Sequence, residues 1–432
     1  MRCSPFGRLF VCLDFVRKVV MTGSLELDRV TLGFVPLTDC APLVMALDKG
    51  FFARHGLSVT LSREASWANI RDKVAVGLLD GAQMPAGMPL AATGGVGRVN
   101  VPMLTGVALG LNGNAITVSE TLFRQMEAAD LAAVAQRPTD ARALKPVIAA
   151  RREAGRPKLT FGVVLAVSSH AYQLRTWLSA AGIDPDRDVQ LVVVPPPHMV
   201  GSLKAGEIDG YCVGEPWNTQ AVHEGIGRIV VTGYELWNNS PEKVLGVTAA
   251  WAAANPNTHR ALIRALIETA RWLDVPANRE ETAATLSRVV GVPEAALRAS
   301  LTGSVQEAPA APARPVPDFI VFHRYAATFP WRSHALWFLA QMVRWGQLPS
   351  SADLAGIAAS VYRTDLHRAA AAELGEPVPL TDGKPEGAHA GPWTLTDATS
   401  PIAMGADRFF EGRRFDPADP LGGVPSRSFV PA

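Results

Sequence analysis

Four side chains from distant parts of this sequence, Trp67, Asn114, His170 and Lys243, together make a donor set for a small anion. They offer an indole N–H with a flat wall, an amide, an imidazole and an ammonium. Ser168-Ser169 just before His170 reads as the cap of a helix, and the free N–H groups of a helix start favour negative charge. Each residue has an ordinary alternative role as packing tryptophan, turn asparagine, capping histidine or surface lysine. Taken together they suit a small planar anion. Lys243 is expected to face a cleft where an unpaired buried charge costs about 3–5 kcal/mol. A bound anion is expected to supply its partner through charge-assisted hydrogen bonds.

Other chemistry finds little support. The chain has no G-x-S-x-G, H-E-x-x-H or P-loop pattern, and its nine histidines are scattered without metal-ligand spacing. No enzyme, cofactor or metal site is therefore expected. A net charge of +1 and the lack of a basic run argue against direct contact with nucleic acid. No run of about 18 apolar residues is present, so no membrane span is expected. Of the four cysteines, Cys40 and Cys212 lie in the body of the chain and read as buried free thiols, and Cys3 and Cys12 lie near its start.

The elements that must position the donors come as a repeat. RVTLG at 29 is answered by KLTFG at 158, and GLLDG at 77 by GEIDG at 206, each 129 residues on (158 against 29, 206 against 77). SVTL at 58 and DVQL at 188, and GMP at 87 and GEP at 214, follow in the same order. The pattern predicts two similar α/β lobes whose strand-end loops face one another across a cleft. Residues 36–39 and 66–67 should share one rim, with Trp67 in a loop and a helix from Asn69. VVVPPP, ending at Pro197, takes the equivalent place in the second lobe.

The expected organisation follows from these landmarks. Residues 1–27 form a disordered leader, 28–116 the first lobe with 245–385 returning to it, 117–244 the second lobe, and 386–432 a surface tail. Hinges are expected at 115–118 and 245–248. The apolar run 9–16 is broken by Asp14 and followed by Arg17-Lys18, with no small-residue cleavage pattern. A cytoplasmic location, with Met21 as an alternative start, is the expectation.

The segments FVPLTDCAPLVMALDKGFF, SREASWANIRDKVAVGLLDGAQM, NGNAIT, VVVPPPHM, GEPWN, PEKVLGV and FHRYAATFPWRSHALWFLAQM closely resemble the nitrate-binding proteins of bacterial nitrate uptake. The resemblance implies a type II periplasmic-binding-protein fold, two α/β lobes closing on the ligand, with a helical C-terminal region. It places the ligand contacts at Trp67, Asn114 (glutamine in many relatives), His170, the proline-turn backbone at Pro196, and Lys243. Bicarbonate-binding relatives carry an acidic residue near the lysine position, so Lys243 is taken to favour nitrate or nitrite. Members without a leader resemble cytosolic nitrate/nitrite sensors that hold an ANTAR-type RNA-binding antiterminator. The leading expectation is therefore such a sensor; the alternative is the extracytoplasmic binding component of a nitrate ABC transporter.

Overall fold

The apolar run at Arg29–Phe34 forms β1, flanked in parallel by β2 (Ser58–Arg63) and β3 (Gly81–Pro85). The computed structural model describes residues 23–97 and 99–422. Helix α1 (Ala41–Asp48) follows β1, α2 (Trp67–Ala75) joins β2 to β3, and α3 (Gly87–Thr93) follows β3. Strands β4 (Met103–Leu104) and β5 (Ala108–Asn112) then lead out of this lobe.

The second lobe holds β6 (Asn114–Ser119), β7 (Thr160–Val163), β8 (Gln190–Val193), β9 (Gly210–Gly214) and β10 (Gly227–Thr232), in sheet order β10-β6-β9-β7-β8. Its helices include α4 (Ser169–Ala180), α5 (Met199–Lys204) and α6 (Trp217–His223). The chain returns as β11 (Pro241–Thr248), antiparallel between β3 and β5. A hairpin of β12 (Ser304–Val305) and β13 (Arg314–Pro315) comes next, then the edge strand β14 (Ile320–Val321). The first sheet thus runs β14-β5-β11-β3-β1-β2, with β4 alongside β11.

The repeat is visible in register. Gly33 pairs with Ala82 in the first lobe, and Gly162 with Tyr211 in the second, both shifted by 129 (162 against 33, 211 against 82). A Cβ on Gly33 would come within 2.8 Å of Ile70 and 2.6 Å of Leu79; one on Gly162 would come within 2.9 Å of Met199 and 3.2 Å of Ile208. Those four neighbours are themselves 129 apart. In each lobe the first strand needs glycine there because the helix and loop behind it press directly on the backbone.

The lobes exchange chain at two places. Asn112 and Gly113 have φ of 63° and 90°, the left-handed turn that ends β5 and starts β6. The return runs between β10 and β11 through residues 233–240. The expected hinges 115–118 and 245–248 instead lie inside strands paired on both sides, Ala115–Val118 with β9 and β10. Ladder hydrogen bonds hold those positions, and the chain crosses between the lobes at 112–113 and 233–240 instead.

The rest of the chain packs around these lobes. Helix α7 (Pro256–Leu273) opens on a proline at its first turn and buries Leu262 and Leu266 in the core shared with Leu43 of α1. Helix α8 (Arg332–Arg344) sets Trp337 and Phe338 against Tyr172 of α4, whose hydroxyl donates to Gln347 at 2.6 Å. Of the expected leader, residues 1–22 lie outside the described residues. The remainder is tied down: Glu26 accepts from the N–H groups of Asn257 and Thr258.

The tail is held more firmly than a loose wrap. β15 (Trp393–Leu395) and β16 (Ile402–Met404) form a hairpin. Lys384 is buried between Glu386 and Asp407, 3.1 Å from the latter's Oδ2. Residues 406–410 run across the second crossover, where Asn238 N–H donates to Arg408 O at 3.0 Å and Phe410 N–H to Leu236 O at 2.9 Å.

Candidate functional site

Lys243 stands on β11 at the boundary of the two lobes and is 1% exposed. Its Nζ is 2.7 Å from Asp39 Oδ2, bonds to Glu242 Oε1, and sits 5.4 Å from the centre of the Trp67 ring. Asp39 lies in the turn Thr38–Cys40 directly after β1, where Gln83 Nε2 donates to its Oδ1 at 2.6 Å. Trp67 is the first residue of α2, not a loop residue; Ser66 caps that helix by accepting from Asn69 N–H at 3.2 Å. All these groups belong to the first lobe.

The second lobe supplies uncharged partners. Asn114 opens β6, and its Nδ2 donates to Glu242 Oε2 at 2.5 Å and to Gln173 Oε1 at 3.2 Å. Ser168 caps α4 through Ala171 N–H at 3.2 Å, which places Ser169 Oγ on Glu242 and His170 Nε2 3.3 Å from Glu242 Oε1, without hydrogen-bond geometry. The lobes touch at the rim: Thr38 N–H donates to Glu215 O at 2.7 Å, and Trp217 Nε1–H to Pro36 O at 3.2 Å.

One expectation is corrected. Lys243 does not await an anion as its only partner, because two carboxylates already flank it. Alternation along a strand would send the neighbours Glu242 and Lys243 to opposite faces. Pairing with β5 is irregular on both sides of Lys243, and that bulge lets both side chains reach the same cleft. An acidic residue thus adjoins the lysine here too, so Lys243 alone does not separate nitrate from bicarbonate.

Electrostatics follow from the burial. Asp39 is pushed above the usual carboxylate range by desolvation, which outweighs the pull of Lys243. Desolvation works against the Lys243 ammonium, but Asp39 and Glu242 together keep its pKa raised, so it stays charged. His170 is driven well below its ordinary value by burial and by Lys243, and is neutral at pH 7.

Several buried polar atoms lack hydrogen-bond partners: Trp67 Nε1, both ring nitrogens of His170 and Asn114 Oδ1. Four of the five expected residues, Trp67, Asn114, His170 and Lys243, therefore meet in one group. Pro196 stands apart. It is buried in the turn after β8, has no N–H to give an anion, and its carbonyl accepts from Met199 N–H. Asp39, Gln83, Ser169, Gln173 and Glu242 join the group unannounced. Among the described residues no set of three or more His, Cys, Asp or Glu could hold a metal ion. No helix among them is long and apolar enough to cross a membrane.

Two α/β lobes that exchange chain twice and bury unmatched polar groups between them define a type II periplasmic-binding-protein fold. Residues 23–287 match the family model described as the NMT1-like family, and the chain belongs to that family. It is 34% identical over 410 residues to the nitrate/nitrite binding protein NrtA of Synechococcus elongatus, covering 91% of this chain and 85% of that one. It is 41% identical over 381 residues to the bicarbonate transport ATP-binding protein CmpC of Synechocystis sp., covering 83% of this chain and 53% of that one. The chain spans about half the length of the ATP-binding relatives it matches. The solved periplasmic nitrate-binding protein NrtA from Synechocystis PCC 6803 superposes with a TM-score of 0.82 at 30% identity, over 93% of this chain and 99% of that one. The relatives matched over most of their own length are named as binding proteins.

Proposed function

We propose that this chain is the solute-binding component of an ABC transporter for nitrate and nitrite, with the anion held in the cleft by Trp67, Asn114, His170 and Lys243. The observation that carries this reading is the convergence of unpartnered N–H groups, Trp67 Nε1 and the His170 ring, on one buried ammonium. An acceptor-only planar anion matches donors of that kind. Kinship with nitrate/nitrite-binding proteins over 85% of their length supports the ligand class. Kinship with a periplasmic protein supports an extracytoplasmic site of action, with transporter subunits as partners. Titration calorimetry with nitrate and nitrite tests the ligand. Binding that Lys243→Ala reduces by at least about 100-fold supports it, and unchanged binding in that variant removes Lys243 from the site.

A second reading is a cytoplasmic nitrate/nitrite sensor that controls an ANTAR-type antiterminator. Identity is higher to segments of ATP-binding transport proteins (41%) than to the stand-alone binding protein (34%), and ATP is hydrolysed on the cytoplasmic side. Transport relatives nonetheless favour the first reading, since none of their names points to an antiterminator. Cell fractionation with N-terminal sequencing separates the two: a processed periplasmic chain ends the sensor reading, and a cytosolic unprocessed chain ends the transporter one.

A further inference from the structure

The anion must enter a site that already holds two carboxylates against one ammonium. With Asp39 and Glu242 ionised and His170 neutral, the group carries one net negative charge in a place closed to solvent. A monovalent anion added to it would meet like charge where water does not screen it. The hydrogen bonds point the same way. An acceptor-only anion can satisfy Trp67 Nε1 and the one N–H of a neutral His170, but it leaves the other His170 nitrogen and Asn114 Oδ1 without hydrogens.

We propose that the cleft binds its anion together with one proton taken from solvent, held on the Asp39–Glu242 carboxylate pair, and that Asp39 thereby sets the pH range over which nitrate binds. The inference rests on the anion-binding reading above. The step breaks no bond in the anion: a solvent proton bonds to a carboxylate oxygen, and Lys243 stays an ammonium. Asp39 Oδ2 is the oxygen that receives it. Glu242 accepts three hydrogen bonds, on Oε2 from Asn114 and Ser169 and on Oε1 from Lys243. Asp39 has two, Gln83 on Oδ1 and Lys243, whose Nζ lies 2.7 Å from Oδ2. Burial raises the Asp39 pKa in the same sense.

Other titratable groups face this pair from each packed element. His170 looks in from α4, Cys212 from β9 and Cys40 from the turn after β1, and Arg63 of β2 acts on Cys40 from beyond it. Burial keeps both thiols protonated. Glu215, after β9, is the competing acid, pushed up to about 7 by burial. Its Oε2 accepts from Thr219 N–H on α6, away from Lys243.

Calorimetry on the full chain decides the matter, with nitrate titrated near about pH 6, 7 and 8 in buffers of different ionisation enthalpy. The expected result is uptake approaching one proton per nitrate, with Kd rising up to about tenfold per pH unit on the alkaline side. Asp39→Asn should still bind nitrate but lose both the uptake and the slope, whereas Glu215→Gln should keep them. Tight nitrate binding with no proton uptake overturns the proposal, as does uptake that persists in Asp39→Asn and so belongs to another group. If neither nitrate nor nitrite binds at any of these pH values, the anion-binding reading itself falls, and the proposal with it.

Discussion

Among the described residues two lysines are buried between an aspartate and a glutamate, and one of them lies at the cleft. Lys243 sits among Asp39, Glu242, His170, Ser169 and Trp67; Lys384 sits among Asp407, Glu386, His334, Ser333 and Trp331. The residue types match one for one. Lysine-to-indole distances are 5.4 and 5.7 Å, and imidazole-to-glutamate distances 3.3 and 3.5 Å. What differs is how completely the hydrogen bonds are made. At Lys384, Asp407 also accepts from Trp237 Nε1 at 2.8 Å and Ser333 donates to Glu386 at 2.6 Å; His334 Nε2 alone is left over among these side chains. At Lys243, the matching side chains leave over Trp67 Nε1 and both His170 nitrogens, with Asn114 Oδ1 beside them. Charge and composition therefore do not mark a binding site. Unmatched groups gathered on one buried charge set the two lysines apart, because a finished network is a staple and an unfinished one has room for a ligand.

The sharpest way to break this comparison is to remove each lysine. Lys384→Ala should cost about 3–5 kcal/mol in urea unfolding, since two buried carboxylates lose their shared cation, while the folded fraction still binds nitrate. Lys243→Ala should lose at least about 2.7 kcal/mol of nitrate binding and less than half as much stability as Lys384→Ala, because Asp39 can relieve the leftover charge by protonation. Equal effects of the two changes on stability and binding would erase the distinction.

The carboxylates should then show opposite pH limbs. Glu386 is lowered mainly by Lys384 against the cost of burial, so it contributes stability above about 4.3, which is lost as pH falls. Glu386→Gln should remove that acid limb. Asp39 is raised, so the native state holds its proton longer, and stability falls as pH rises above about 3.9 toward the raised value. Asp39→Asn should flatten that fall and leave the unliganded protein no less stable at pH 7. Chemical unfolding followed from acid to neutral pH reads both signs at once.

The smallest test compares two indoles. Trp67→Phe keeps a ring over Lys243 and removes only the unpartnered N–H, so nitrate affinity should drop by about 1 kcal/mol with little change in melting temperature. Trp237→Phe removes a made hydrogen bond and should do the reverse, costing about 1–3 kcal/mol of stability.

Much of the framework was legible because it rests on backbone demands that only certain residues meet. Gly33 and Gly162 recur at one offset since each lies under a helix, and Asn112-Gly113 announces a left-handed turn. Trp67, Asn114, His170 and Lys243 could be singled out as donors. Asp39 lay on the expected rim but was not read as a charge against Lys243. Glu242 was hidden by the bulge, since a regular strand would have turned it away. The Lys384 staple joins residues from α8, the tail and the second crossover, and no local pattern foretells such a meeting. The hinges were placed several residues into strands because apolar β-branched runs do not say which of their ends is paired.

The tail's position over residues 236–239 gives the molecule a way to report on itself. Any rotation of one lobe against the other must pass through that crossover, and residues 406–410 are bonded to it, not to the cleft. The tail is thus the moving hand on a dial whose works are buried. A fluorophore placed at Arg408, on the surface and far from the anion in sequence, should change its signal when nitrate closes the cleft, and a silent label would mean that the crossover does not turn.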